Sequence, residues 1–545
     1  MVQVSRRKAA RFPLGKTVLA FAAGAASLLG GKAVVAQEAA KPRTGGDLVI
    51  ATQAYPGCLD PRQLGVGGLA LTEITTDRLV DVDPRTGETI PYLASSWDVE
   101  DGARRIVFHL RDGVTFSDGT PLTAAVVKQN IDTLFAAPSA TANSRQILTG
   151  LVSVEAPDDK TVVFTFTNPR SDFLRAAGHS DVSIYAPAWL ASDEPTRCNT
   201  IIGSGPFILE SLSRESGWKF VRRKDYGWPS VRSGVEPGPF LDSLQYRLIP
   251  EVGVRLNGLI AGQFQVITHL NPDHEPLLLA QKAQVFGAES YGTVWTLTAN
   301  INKPPLDEKA VRLAALYAVN LNELKQGALF GSWQRIAKGV LTENTPGFVD
   351  FSQRLVHDPD RARKLLDEAG WVPGPDGIRV RDGKRLEVDY PYAREEQVVL
   401  LLQQQLHAVG IGVKLRKVAQ SERVAITTAG DYSYYFHARN HLLERSALNQ
   451  AFSSHYANYI GGGRPGLSAD KLVEVDRLAA ALTAAPTDEA ALAISRDFQS
   501  LLLDEGYVIP LYPYSEGYAA VAKLHGWQFG GSGQELYLRD AWLAN

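Results

Sequence analysis

Residues Tyr92–Lys128 read YLASSWDVEDGARRIVFHLRDGVTFSDGTPLTAAVVK, and three Asp-Gly pairs divide the stretch into short pieces. Ser96–Val99 leads to Asp101-Gly102, a dipeptide suited to a hairpin, and Ile106–Leu110 returns with alternating apolar character. Asp112-Gly113 then precedes a third short strand, Val114–Phe116, and Asp118-Gly119 turns the chain again. Thr123 stands where a helix cap belongs, before Ala124-Ala125-Val126-Val127-Lys128. Nothing in the stretch pairs a nucleophile with a base, spaces metal ligands or builds a phosphate loop. Its information is architectural.

Other short stretches occur in a telling order. Gly45–Ile50 and Leu59-Asp60-Pro61 come first, then Gly203-Ser204-Gly205-Pro206-Phe207. Phe240–Asp242 runs on through Arg247–Pro250 to Arg255–Ile267, and Asn302–Asp307 is followed by Val311-Arg312 and, near the end, Val508–Tyr512. Together with LASSWDV…FHLRDGVTFSDGTPLTAAVVK, this series resembles the signature of the family 5 solute-binding proteins, the peptide and nickel receptors of ABC importers. The matches run from about residue 45 to 530.

The first 36 residues read as an export address. Arg6, Arg7, Lys8 and Arg11 precede Thr17–Gly31, an apolar run too short to span a bilayer, and Val34-Val35-Ala36 is a small-residue cleavage site. Ser5-Arg6-Arg7 hints at twin-arginine export, while the weak Ala9 keeps the Sec route open. The expected location is periplasmic. About 500 residues then remain, enough for two or three cores. A net charge of −3 with mixed signs offers no basic face for nucleic acid. Cys58 and Cys198, in an oxidising space, are expected to form a disulfide, with two buried free thiols as the alternative.

Strand-like runs such as Val162–Phe166 alternate with helical ones at Val398–His407, Ala310–Phe330, Pro359–Ala369 and Asp488–Glu505. That alternation predicts a layered α/β protein. The resemblance implies a type II periplasmic binding protein fold, two lobes and three domains around an interlobe cleft. Domain I would comprise 45–88, 200–291 and 520–545, domain II 89–199, and domain III 292–519, after the signal at 1–36. The chain would cross between lobes near Ser204 and near Tyr291, with closure about these hinges.

A solute would lie in the cleft, and three segments are candidates for its wall. Gln53 and Tyr55 follow the first strand, where open α/β sheets present ligands; Tyr55 could equally be a half-buried core ring. Trp295 and Asn300 lie on the strand entering the large lobe, and Trp295 is either a stacking wall or core. The third segment holds His437, Arg439, Asn440, His441 and Glu444. Peptide-binding relatives usually carry an acid here that holds the peptide's ammonium group. Here Arg439 or Asn440 stands in its place, and a guanidinium suits carboxylate or phosphate instead. A shift of alignment would make Glu444 the anchor. His437 and His441 are four apart, with His455 nearby, but no metal site is assigned and no cofactor is expected.

Enzyme motifs fail on their partners. Ser468-Ala469-Asp470-Lys471 fits S-x-x-K without the later motifs that complete it, and Gly461–Gly463 lacks a phosphate-binding lysine. The expectation is a monomeric, non-enzymatic receptor that captures a peptide or similar polar solute and delivers it to the permease subunits of an ABC transporter. The alternatives are a receptor for an anionic solute or metal chelate, and a sensor or helper of the same fold without a transporter.

Overall fold

Asp101, Gly102 and Ala103 take positive φ in a tight turn, so the chain reverses between the strands Ala94–Glu100 and Arg105–Leu110, pairing Trp97 with Phe108 and Val99 with Ile106. The helix Ala124–Ala136 follows, its first turn accepted by Thr123 Oγ1 from the Val126 amide at 3.4 Å. Val114–Phe116 does not become a strand: only one bridge, Thr115 to Pro121, forms across the turn. The buried Arg223 explains this, because it takes the Thr115 carbonyl and hydroxyl at 2.7 Å each and the Phe116 carbonyl at 2.9 Å. Those are the acceptors a strand partner would need.

The computed structural model describes residues 41–545 except 56, 61–65, 84–86, 137–143, 145–146, 233–235, 394–395, 441–443, 457–458, 464–469, 530–535 and 545. The chain divides into two units, Met1–Lys41 and Pro42–Asn545, and the architecture described is that of the second. The expected export signal, and Ser468 and Ala469 of the S-x-x-K run, lie outside the described residues.

Three sheets carry the fold. A seven-stranded mixed sheet runs in the order Gln284–Glu289, Ser515–Ala520, Val266–Leu270, Asp47–Thr52, Ser243–Leu248, Gly217–Arg222, Phe207–Ser213. Asp47–Thr52 lies parallel to both its neighbours. A four-stranded antiparallel sheet, Ala94–Glu100, Arg105–Leu110, Thr161–Phe166, Leu151–Glu155, packs its own core around Phe108, Phe116 and Phe164. The third, Tyr434–His437, Trp295–Ala299, Val508–Tyr512, has helices around it, and a parallel pair, Glu387–Tyr392 with Gly412–Lys417, joined through the helix Glu396–His407, packs on the same core. This is the two-lobed α/β arrangement. The helix expected over Ala310–Phe330 is two, Lys309–Ala318 and Leu321–Gly327, because the Asn320 side chain accepts the Glu323 amide and starts a new helix.

The crossings differ in one place from expectation. The chain leaves the seven-stranded sheet after Glu289 and enters the third sheet at Trp295, as Tyr291 suggested. It returns between Tyr512 and Ser515, because Ser515–Ala520 inserts between two first-lobe strands. The Gly203–Phe207 motif instead leads from the four-stranded piece back into the first sheet. A Cβ at Gly203 or Gly205 would meet the Thr75 backbone at 2.1 or 2.5 Å, so this passage tolerates no side chain. Gly292, at φ +119°, is equally constrained: a Cβ there would lie 1.9 Å from the Arg439 carbonyl oxygen. Cys58 and Cys198 form the disulfide, with Cα atoms 4.2 Å apart.

Candidate functional site

A cavity of about 550 Å³ opens where the two lobes meet. First-lobe strand ends supply Thr52 to Tyr55, Trp218, Tyr246, Thr268 to Asn271 and Ser515 to Tyr518; the second lobe supplies Trp295, Gln334, Tyr512 and Tyr514. Its position follows from topology, since the loop after Asp47–Thr52 sits at the carboxyl end of a strand parallel to both neighbours. Of the residues expected from sequence, Gln53, Tyr55 and Trp295 line it.

The walls are aromatic. Trp218 stacks on Tyr246 at 5.1 Å, Tyr55 meets Trp218 edge-on at 6.0 Å, and Arg214 lies over the Tyr55 ring at 5.6 Å. Trp295 stacks on Phe436 at 4.5 Å and approaches Tyr514 at 5.9 Å, so one ring serves as both wall and core. The Tyr55 and Tyr246 hydroxyls and Trp218 Nε1 are buried without hydrogen-bond partners. Such orphans cost stability unless a solute or water meets them.

Sequence reading missed the polar floor. The strand Val266–Leu270 carries a bulge after Ile267, and His269 takes a positive φ of 57°. Arg255 holds that kink, donating to the carbonyls of Ile249 and Pro250 at 2.7 Å, Thr268 at 3.2 Å and His269 at 3.0 Å. His269 Nδ1 lies 2.6 Å from Thr268 Oγ1, whose hydroxyl donates to Thr52 Oγ1 at 3.1 Å. Nε2 points to Glu516, 3.0 Å from Oε1. Burial raises the Glu516 carboxyl from 4.5 to about 7, against the pull of Arg255. Burial, reinforced by Arg255, lowers His269 from 6.5 to about 4. No periodicity marks either residue; only the bulge brings them together.

Asn300, His437, Arg439 and Asn440 are not among the lining residues. The Asn300 amide nitrogen donates to the Gly430 and Tyr432 carbonyls at 3.2 and 3.1 Å. His437 is buried, with Nε2 2.9 Å from Thr298 Oγ1 and its ring 4.0 Å from Tyr459. Burial, with Arg439 and Arg423 nearby, holds it neutral, well below the usual histidine range. Arg439 donates from Nη2 to the Tyr459 hydroxyl at 3.0 Å and lies over that ring at 5.4 Å, while its buried Nε has no partner. Asn440 bridges to Gly292. His441 lies outside the described residues; Glu444 opens the helix Glu444–Phe452, and its side chain also lies outside them. Among the described residues no three His, Cys, Asp or Glu side chains converge as metal ligands.

Comparison with known proteins bears on this arrangement. The dipeptide-binding protein of Escherichia coli K12 is 28% identical over 369 residues, 63% of this chain and 67% of its own length. The glutathione-binding protein GsiB of the same strain is 27% identical over 336 residues, 61% of this chain and 62% of its own. The chain thus spans between three fifths and about two thirds of these relatives. The crystal structure of NikA from Brucella suis in complex with Fe(III)-EDTA superposes with a TM-score of 0.78 at 23% identity, covering 92% of this chain and all of that one. Residues 88–443 match the family model for bacterial extracellular solute-binding proteins, family 5 Middle. With that match reaching across most of both lobes, the chain belongs to the family 5 extracellular solute-binding proteins.

Proposed function

We propose that the interlobe cavity is the solute site of a periplasmic receptor, which closes on a peptide-sized polar solute and passes it to the permease of an ABC transporter. The observation that carries this reading is the wall itself: both lobes contribute, its rings are large, and three of its buried polar atoms lack partners. Ligand would shift an open–closed equilibrium by its higher affinity for the closed form. Gln53, Tyr55 and Trp295 are the solute contacts we assign from the original set. The same reading takes the expected three domains, with the tail drawn from Ser515 rather than residue 520, and a monomer that carries out no catalysis. Export by an N-terminal signal belongs to the same reading; no helix among the described residues is long and apolar enough to cross a membrane.

A second reading, a solute bearing an anionic group or a chelate, draws support from the partnerless Nε of Arg439. It requires Tyr459 to release the guanidinium. A thermal-shift screen of refolded, ligand-free protein tests both. Di- to pentapeptides, glutathione, acidic sugars and metal chelates form the library. A bound solute at a hundredfold excess over its Kd adds about 2.7 kcal/mol of stability. Shifts that vanish in Trp295→Ala support the cavity; shifts that vanish only in Arg439→Ala move the site to the second reading. A library without a hit counts against both.

A further inference from the structure

Glu516 meets the His269 ring, 3.0 Å from Nε2. It sits on a central strand of the seven-stranded sheet, opposite Ala288, with its side chain 13% exposed on the cavity floor. Its buried Oε1 makes no aligned hydrogen bond. With Thr268 donating to Thr52, the Thr268 oxygen accepts from His269 Nδ1–H, which leaves the Nε2 lone pair facing the carboxyl group. The protonated acid can donate to that lone pair, but the carboxylate cannot be satisfied by it. Arg255 is near but spends its guanidinium on four backbone carbonyls. Among the described residues lining the cavity there is no lysine or arginine. The cavity therefore holds an acid that lacks a donor once ionised, in a lining that includes Tyr55, Trp218, Tyr246, Trp295, Tyr514 and Tyr518.

Rings present negative faces to cations, and a carboxylate adds a charge-assisted hydrogen bond. On the reading that this cavity holds the solute, we propose that Glu516, aimed by the His269 bulge, is the seat of a cationic group: the site selects solutes bearing an ammonium or guanidinium group. The assignment differs from the acid expected in the 437–444 segment, because Glu516 reaches the cleft from the opposite lobe. His269 and Arg255 are positioning residues, the first orienting the carboxyl and the second holding the kink.

Matched pairs with and without an ammonium group test this on the full chain, refolded free of carried-over ligand. Choline is paired with 3,3-dimethylbutanol, and alanyl-phenylalanine with its N-acetyl form, each titrated by calorimetry. The ammonium-bearing member should bind roughly tenfold tighter or better. Glu516→Gln should erase that preference by weakening the ammonium-bearing member of each pair. Glu516→Asp keeps the charge but withdraws it, and should lose part of the preference; it serves alone where the glutamine variant does not fold. Equal affinities within the pairs, or a preference that survives Glu516→Gln, overturn the assignment while the cavity remains the solute site. Binding unaffected by Tyr55→Ala and Trp295→Ala removes the cavity reading itself. No binding by any member overturns the cation assignment as well.

Discussion

Two polar clusters in this molecule have opposite construction. One lies deep where residues 73–92, 228–232 and 537–540 meet. There Asp81 takes Arg232 Nε and Nη2 at 2.8 and 3.0 Å, Arg78 at 3.5 Å and Arg539 at 3.8 Å, while Arg78 also holds Glu73 at 2.6 Å and Arg539 holds Asp540 at 3.2 Å. Asp77 accepts from Trp228 Nε1 at 3.0 Å and from the Tyr92 hydroxyl. Each of Glu73, Arg78, Asp81, Arg232, Arg539 and Asp540 is buried and faces an opposite charge, although Arg78 Nε and Arg232 Nη1 make no hydrogen bond. The other cluster is the cleft floor, where Glu516 meets one histidine and, among the described residues, no arginine or lysine lines the cavity, while the Tyr55 and Tyr246 hydroxyls make no hydrogen bond. Partnered charge clamps distant segments together; unpartnered polarity waits for a molecule from outside. The difference separates frame from site within one lobe.

The widest gap between the clusters should appear on removing one acid from each. Burial alone would raise the Asp81 carboxyl, but Arg232, Arg78 and Arg539 overcome it and hold the group well below the usual carboxylate range. Asp81→Ala leaves three buried guanidinium groups short of an anion. It should cost about 3–5 kcal/mol in urea unfolding, with little change in the affinity of whatever fraction folds. Loss of binding without loss of stability would place Asp81 in the wrong cluster.

Acidity distinguishes the clusters next. Glu516, raised from 4.5 to about 7, contributes stability that is full below pH 4.5 and is lost as pH climbs through 7. His269, lowered from 6.5 to about 4, contributes stability that is full above pH 6.5 and is lost as pH falls through 4. Between pH 4.5 and 6.5 the two slopes oppose, so the native pair partly hides itself. Glu516→Gln removes the first slope, and the variant should gain on the wild type as pH rises from 5 to 8, by at most about 3 kcal/mol. His269→Asn should show the reverse, more weakly, because its side chain is 39% exposed and screened by solvent. Parallel curves for wild type and Glu516→Gln would show that the carboxyl is solvated and the floor is not dry.

The frame was far more legible in the sequence than the floor. Turn dipeptides, alternation and a cap act between near neighbours, so Ala94–Glu100, Arg105–Leu110 and the helix after Thr123 could be read directly. Gln53, Tyr55 and Trp295 were legible because they end or begin strands that the family pattern places at the cleft. Glu516 and His269 were not: they are 247 positions apart, and the bulge that joins them has no glycine or proline to announce it. Arg439 shows what tertiary neighbours add to such a reading. Its charge suggested a ligand, yet Tyr459, 20 residues on, occupies both its Nη2 and its planar face. Residue type announces what a side chain can do, while tertiary neighbours decide whether that capacity is already spent.

The smallest effect tests that last point most directly. Tyr246 stacks on Trp218 and keeps its hydroxyl buried and unpartnered beside the cavity. Tyr246→Phe keeps the ring, the stacking and the volume, and deletes one oxygen. In the frame, deleting a partnered buried hydroxyl would cost about 1 kcal/mol. At the cleft the empty protein has no bond to lose, so its stability should hold or rise by about that amount, while solute affinity falls roughly fivefold as one hydrogen bond disappears from the complex. Urea unfolding of the ligand-free variant and calorimetry with the solute found in the screen measure the two quantities separately. A drop in stability would mean the hydroxyl already has a partner and belongs to the frame. A gain in stability with unchanged affinity would mean the solute leaves it unpaired too, which would shift the polar contacts of the site toward Tyr55, Trp218 and Glu516.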